Sequence, residues 1–209
     1  MSTPRTRGLL FDCDGVLVDS KAAAEEAWSA WSAHYGLDTA EVLTGIHGRR
    51  SVDTVARHLP QTLRAEATAL IDRLEIGTAY RATPVPGAAT LVSKLPPLSY
   101  AVVTSAPARL CHARLAAAEL PLDRVLVTSE DVAHGKPEPD CYQLGAERLG
   151  VGPADCVVFE DSAAGIAAAR AAGAGFVVGV GADAGAHGAD VVLADLTSLD
   201  WQDGQLVIR

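Results

Sequence analysis

Lysine is nearly missing from this 209-residue chain: it stands only at positions 21, 94 and 136, and arginine carries most of the positive charge. Positive charge as a whole is short, with 17 Lys and Arg against 26 Asp and Glu, a formal net charge of -9 and a pI near 5.0. A field of that sign repels polyanions, which argues against nucleic acid or an anionic membrane as partner. A phosphorylated small molecule would need local cations, so a lysine inside a motif stands out. Cysteine pairs are also lacking. Cys13, Cys111, Cys141 and Cys156 form no Cys-x-x-Cys and match no histidine spacing, so neither a zinc site nor a disulfide framework is indicated, and reduced thiols in a cytoplasm are expected. No apolar run is long enough to span a bilayer, the longest small-residue run, 171–182, being glycine-rich. The polar, basic stretch Met1 to Arg7 is not followed by a signal core. There is no repeat and no low-complexity tail, and the length suits one sizeable core with an inserted subdomain.

What is present is concentrated in ten residues, Phe11-Asp12-Cys13-Asp14-Gly15-Val16-Leu17-Val18-Asp19-Ser20, after the apolar run Gly8-Leu9-Leu10. An apolar strand that ends in two acids one residue apart places carboxylates at the carboxyl edge of a sheet, where open α/β folds bind ligands. Side chains two apart lean the same way, so Asp12 and Asp14 can face one small volume. Close carboxylates repel and stay ionised only beside a cation or donor, and hard oxygen ligands favour magnesium. Taken alone, Asp-x-Asp-Gly also describes a solvated turn.

Along the chain, residues 21–35 have helical spacing, with Ala24, Trp28, Trp31 and Tyr35 on one stripe for core packing, Ser20 placed to cap and Gly36 to end. Val52, Val55, Ala56 and Leu59 continue the helical period to Pro60, and Leu63, Leu70, Ile71 and Leu74 carry it towards Tyr80. Thr83-Pro84-Val85-Pro86-Gly87 reads as a stiff linker. Beyond it, strands at 99–104, 124–128, 155–159, 175–180 and 190–193 alternate with helices at 87–95, 107–118, 138–149 and 162–172, the rhythm of a parallel sheet. Residues 201–209 suggest a short edge strand. The expected architecture is α/β, a Rossmann-like parallel sheet flanked by helices, built from residues 1–16 and 83–209, with an all-helical cap inserted at 17–82.

Three further segments carry chemistry. Tyr100-Ala101-Val102-Val103 ends in Thr104-Ser105 before Pro107 opens a helix, so hydroxyls and free N–H groups collect where a helix start favours an anion. Lys136 lies in His134-Gly135-Lys136-Pro137 just before another helix, where an ammonium would offset carboxylate and phosphate repulsion. Val157-Val158-Phe159-Glu160-Asp161-Ser162 again runs from apolar strand into acids. Asp161 directly, and Glu160 directly or through water, would complete a metal's oxygen shell.

Asp12-Cys13-Asp14-Gly15-Val16, Thr104-Ser105, Lys136 and Glu160-Asp161, in this order, resemble the four motifs of the haloacid dehalogenase-like hydrolases over nearly the whole chain. The resemblance implies Asp12 as the nucleophile that becomes an aspartyl-phosphate, and Asp14 as the acid for the leaving alkoxide and then the base for water. It implies magnesium held by Asp12, the Asp14 backbone carbonyl and Asp161, with Thr104, Ser105 and Lys136 on the phosphoryl oxygens. Asp14 sets aside the branches lacking that acid, and after Lys21 the cap has no lysine for a Schiff base. Gly45-Ile46-His47-Gly48-Arg49-Arg50-Ser51-Val52-Asp53 resembles the recognition loop of sugar- and polyol-phosphate phosphatases, including 2-deoxyglucose-6-phosphate and glycerol-phosphate types. His47 and Arg49 are the candidates for substrate contact, whereas Arg50, Arg57, His58 and Arg64 read as a solvated helix face. The leading expectation is a magnesium-dependent, monomeric, cytoplasmic phosphatase of a small sugar or polyol phosphate. A β-phosphoglucomutase-like mutase and a non-catalytic sugar-phosphate sensor are the alternatives.

Overall fold

The computed structural model describes residues 6–122 and 124–209. Its centre is β1 (Gly8–Phe11), buried along its whole length. A strand with apolar side chains on both faces needs cover on both. Leu9 and Phe11 point into one core with Leu91, Tyr100 and Phe159, while Leu10 points into a second with Tyr142 and Ile166.

From β1 the chain passes through β2 (Val18–Asp19) into four helices, α1 (Lys21–His34), α2 (Thr39–Leu43), α3 (Ser51–His58) and α4 (Gln61–Thr78). It returns through β3 (Thr83–Pro84), which pairs antiparallel with β2, Val18 opposite Pro84. The helices share their own apolar cluster of Trp28, Trp31, Val42, Val55 and Ile71, and the Trp31 indole N–H donates to the Ala67 carbonyl at 2.9 Å. The chain then alternates: α5 (Ala88–Val92), β4 (Tyr100–Val103), α6 (Ala108–Ala117), β5 (Val125–Val127), α7 (Asp140–Arg148), β6 (Cys156–Glu160), α8 (Ala163–Ala171), β7 (Phe176–Val180) and β8 (Val191–Leu193). A hairpin, β9 (Leu199–Gln202) and β10 (Gln205–Ile208), closes it.

Six parallel strands lie in the order β5-β4-β1-β6-β7-β8. Phe11 is level with Val102 on one side and Phe159 on the other, so the residues that follow β1, β4 and β6 emerge together at one edge. The chain builds outward from β1 to β5 and then crosses back to β6, and a ligand crevice belongs at such a reversal. Among the described residues no helix is long and apolar enough to cross a membrane.

Several expectations need correction. Ser20 stands at the start of α1 but makes no side-chain cap, because its hydroxyl donates to Asp14 Oδ1 at 2.6 Å instead. Residues 201–209 do not extend the main sheet: Asp203 and Gly204, with φ of 50° and 76°, turn the chain into the separate hairpin. Arg50 is no solvated residue. Its guanidinium holds Asp53 at 2.7 Å and donates to the Val132 and Ala133 carbonyls, tying the start of α3 to the loop that precedes Lys136. Arg64 likewise donates to the Leu59 and Ala56 carbonyls, satisfying the end of α3.

Candidate active site

Asp12 is the first residue beyond β1, held there by its N–H donating to the Phe159 carbonyl at 2.9 Å. Its Oδ1 accepts from Lys136 Nζ at 2.8 Å. Lys136 is buried behind it, and the same ammonium reaches Glu160 Oε1 at 2.6 Å and the Val103 carbonyl at 3.3 Å, with the Tyr142 ring centroid at 5.1 Å. Burial alone would lower the lysine pKa, but the charges of Asp12 and Glu160 outweigh it and hold the ammonium well above its ordinary value.

Glu160 faces away from the cleft and its oxygens are fully used. Oε1 accepts from Lys136 and the Tyr142 hydroxyl, and Oε2 from the backbone N–H of Asp161 and Ser162 and the Ser162 hydroxyl. A Cβ on Gly165 would lie 1.7 Å from Glu160 Oε1, so the first turn of α8 admits the carboxylate only because that residue is glycine. Asp161 turns the other way. Its carboxylate lies over Gly15, where a Cβ would sit 2.0 Å from Oδ2 and where φ is +80°, a conformation glycine adopts freely.

One carboxylate oxygen from each of Asp12, Glu160 and Asp161 lies within 4.8 Å of the others, but those of Glu160 are already engaged, which leaves Asp12 and Asp161 as the pair facing the cleft. Burial first, and then the Glu160 and Asp14 charges against the opposing Lys136, push Asp12 up to about 7. Burial with the Glu160 and Asp12 charges pushes Asp161 up to about 9. Buried acids that repel each other this strongly, two of them lining the cleft, form a donor set suited to a hard divalent cation. The thiol between Asp12 and Asp14 in the chain, Cys13, points into the core and is no competing nucleophile. Its contact with Cys111, 3.8 Å away, and its burial raise its pKa well above the ordinary value and keep it protonated.

Asp14 points elsewhere, towards the helices. Its Oδ1 accepts from Ser20 and lies 3.0 Å from Arg114 of α6, whose other terminal nitrogen meets Glu75 Oε1 of α4 at 3.0 Å. Burial opposes charge on Arg114, but Asp14 and Glu75 overcome it and raise its pKa. Thr104 is buried and accepts from the Ala106 N–H at 3.0 Å, whereas the Ser105 hydroxyl donates across to the Gly48 carbonyl of the helical segment at 2.9 Å. His47 Nε2 lies 3.6 Å from Glu25. Asp14, Ser20, Arg114, Glu75, Thr104, Ser105 and His47 line a cleft of about 370 Å³, together with Arg49 and Trp28. The residues singled out in the sequence therefore converge, with Lys136 and Glu160 beneath the floor and the others around the opening. Tyr142, Arg114 and Glu75 were not foreseen, since each lies inside a helix whose spacing indicates burial and names no partner.

The family model for haloacid dehalogenase-like hydrolases matches residues 6–173. Hexitol phosphatase A of Escherichia coli (strain K12) is 43% identical over 174 residues, covering 81% of each chain. Validoxylamine A 7'-phosphate phosphatase of Streptomyces hygroscopicus subsp. limoneus is 34% identical over 206 residues, covering 92% of this chain and 95% of that one. Among solved structures, that of CbbY from Rhodobacter sphaeroides in complex with phosphate superposes with a TM-score of 0.75 at 25% identity, covering 91% of this chain and 95% of that one. With its carboxylates gathered at the sheet edge and these likenesses along most of its length, the chain belongs to the haloacid dehalogenase-like hydrolases.

Proposed function

We propose that this protein is a magnesium-dependent phosphatase that hydrolyses the monoester of a small sugar or polyol through an aspartyl-phosphate on Asp12. Family membership and curated relatives that are themselves phosphatases make it a phosphoric monoester hydrolase. The likeness to a hexitol phosphatase supports a hexitol or related phosphate as substrate. The observation that carries the reading is the Lys136–Asp12 pair beneath a cleft that Asp12 and Asp161 both line.

Asp12 and Asp161, with the Asp14 backbone carbonyl, would hold the magnesium, while Glu160 adds its charge from behind and orients Lys136. Bound there, the ion neutralises charge so that a phosphate dianion can approach two carboxylates. Lys136 fixes one oxygen of Asp12, leaving the other to attack phosphorus. Asp14 protonates the leaving alkoxide and then takes a proton from the attacking water, help worth roughly 10² to 10⁴ in rate. Thr104 and Ser105, on the cleft wall, receive the phosphoryl oxygens, Lys136, its ammonium engaged by Asp12, Glu160 and the Val103 carbonyl, acts on them through its charge, and His47 and Arg49 face the substrate hydroxyls. Residues 17–82, which carry the four helices that follow β2, act as a cap that excludes water during attack.

The test is phosphate release from hexitol, hexose and glycerol phosphates with magnesium, which chelator stops and Asp12→Asn abolishes. A folded protein that releases phosphate from none of them overturns the reading. Product analysis separates the alternatives: an isomerised sugar phosphate marks a mutase, and thermal stabilisation by ligand without release marks a sensor.

A further inference from the structure

The guanidinium of Arg114 joins two carboxylates that come from different parts of the molecule. It rises from the interior of α6 with 4% of its surface exposed, and its fork spans Asp14 Oδ1 and Glu75 Oε1, each at 3.0 Å. Both carboxylates line the cleft. A guanidinium so deep persists only when paired, and its planar fork suits two carboxylates at once.

Asp14 needs such a hold. It lies beyond the end of β1, bridged through its backbone only to Val18, so no strand of the main sheet fixes its side chain. Its hydrogen bond from the Ser20 hydroxyl and its ion pair with Arg114 both fall on Oδ1, which leaves Oδ2 for the cleft. Glu75 stands on α4, within the segment that leaves at β2 and returns at β3. The far end of the pair is therefore anchored outside the sheet-bearing part of the chain.

We propose that Arg114, anchored by Glu75, is the positioning residue that sets the side chain of Asp14 for proton transfer to the leaving-group oxygen. The proposal rests on the assignment of Asp14 as the acid. It makes correct placement of that acid conditional on α4 lying over the cleft, so proton transfer is coupled to the helical segment.

The experiment compares kcat/KM for two kinds of ester, since that ratio reports the step in which the leaving group departs. An alkyl phosphate, the best of the hexitol and hexose panel, needs a proton to leave, whereas p-nitrophenyl phosphate departs without one. Arg114→Met should lower kcat/KM on the alkyl ester by about 10²-fold and on p-nitrophenyl phosphate by less than about 10-fold, the difference being the general-acid contribution. Asp14→Asn should give the same selective loss, and adding Arg114→Met to it should cost little more. Arg114→Lys, which keeps the charge but not the fork, should recover part of the alkyl activity. Glu75→Gln should act in the same direction, by about 10-fold on the alkyl ester. Equal losses on both esters, or no loss on either, overturn the proposal. If Arg114→Met does not fold, the ratio in Glu75→Gln and Arg114→Lys decides on the same terms. A wild-type protein silent on both esters refutes the phosphatase assignment itself, a separate outcome.

Discussion

Tyr142 holds its place through a hydroxyl rather than through its ring alone. That hydroxyl donates to Glu160 Oε1 at 2.6 Å in a fully buried setting, and burial followed by the Glu160 charge holds it protonated, its pKa well above the usual phenol value. Tyr142→Phe keeps the ring beside Lys136 and removes one donor from an ionised acceptor, so stability should fall by about 1.5–3 kcal/mol. Urea unfolding at neutral pH reads this directly, and no change would mean that Lys136 and the Ser162 donors satisfy Glu160 without it. At this scale the sequence was unevenly legible. Asp12, Asp14 and Asp161 were visible because an apolar strand that turns abruptly acidic is unusual, and Lys136 because the chain has so few lysines. Tyr142, Arg114 and Glu75 were hidden because their partners lie 18 to 100 positions away, and helical spacing says which way a side chain faces but not whom it meets. Ser20 misled for a related reason: a serine before a helix is a good cap until a nearer carboxylate takes its hydroxyl.

The strands of the main sheet were legible to within a few residues, since a strand covered on both faces reads as an unbroken apolar run. The hairpin of β9 and β10 was not. Asp203-Gly204 is a turn pair suited to two-residue hairpins, and taking 201–209 as one strand ran straight through it. What fastens the hairpin is Asp200, which accepts from Lys94 Nζ at 2.7 Å and Gln202 Nε2 at 2.8 Å. These hydrogen bonds, Lys94 first, lower its pKa to about 2. A carboxyl lowered on folding contributes stability that is full above its unfolded value near 3.8 and is lost as pH falls through about 2. Asp200→Asn should therefore lower the denaturant midpoint modestly at pH 7, and the gap from wild type should close between pH 4 and pH 2. A gap independent of pH would mean that geometry rather than charge holds the hairpin.

Across the whole molecule, the burial of Asp12 and Asp161 beside Glu160 opposes folding, and the one ammonium of Lys136, bonded to Asp12 and Glu160, offsets only part of it, so a further cation should add stability. Magnesium should accordingly raise the melting temperature of chelator-treated protein. Saturation at one hundred times Kd corresponds to about 2.7 kcal/mol. Thermal scans should show this shift in wild type and lose most of it in Asp161→Asn, which keeps the shape and removes the charge. An undiminished shift in that variant would move the ion away from the strand ends. The two-strand junction of β2 and β3 has a consequence of another kind. Asp19 lies opposite Thr83, so the chain departs and comes home through adjoining positions. No strand of the main sheet lies between them, so the order of that sheet does not depend on how long the intervening segment is. So narrow a doorway lets evolution swap the segment as one piece, provided the newcomer again brings a carboxylate to the place where Glu75 meets Arg114.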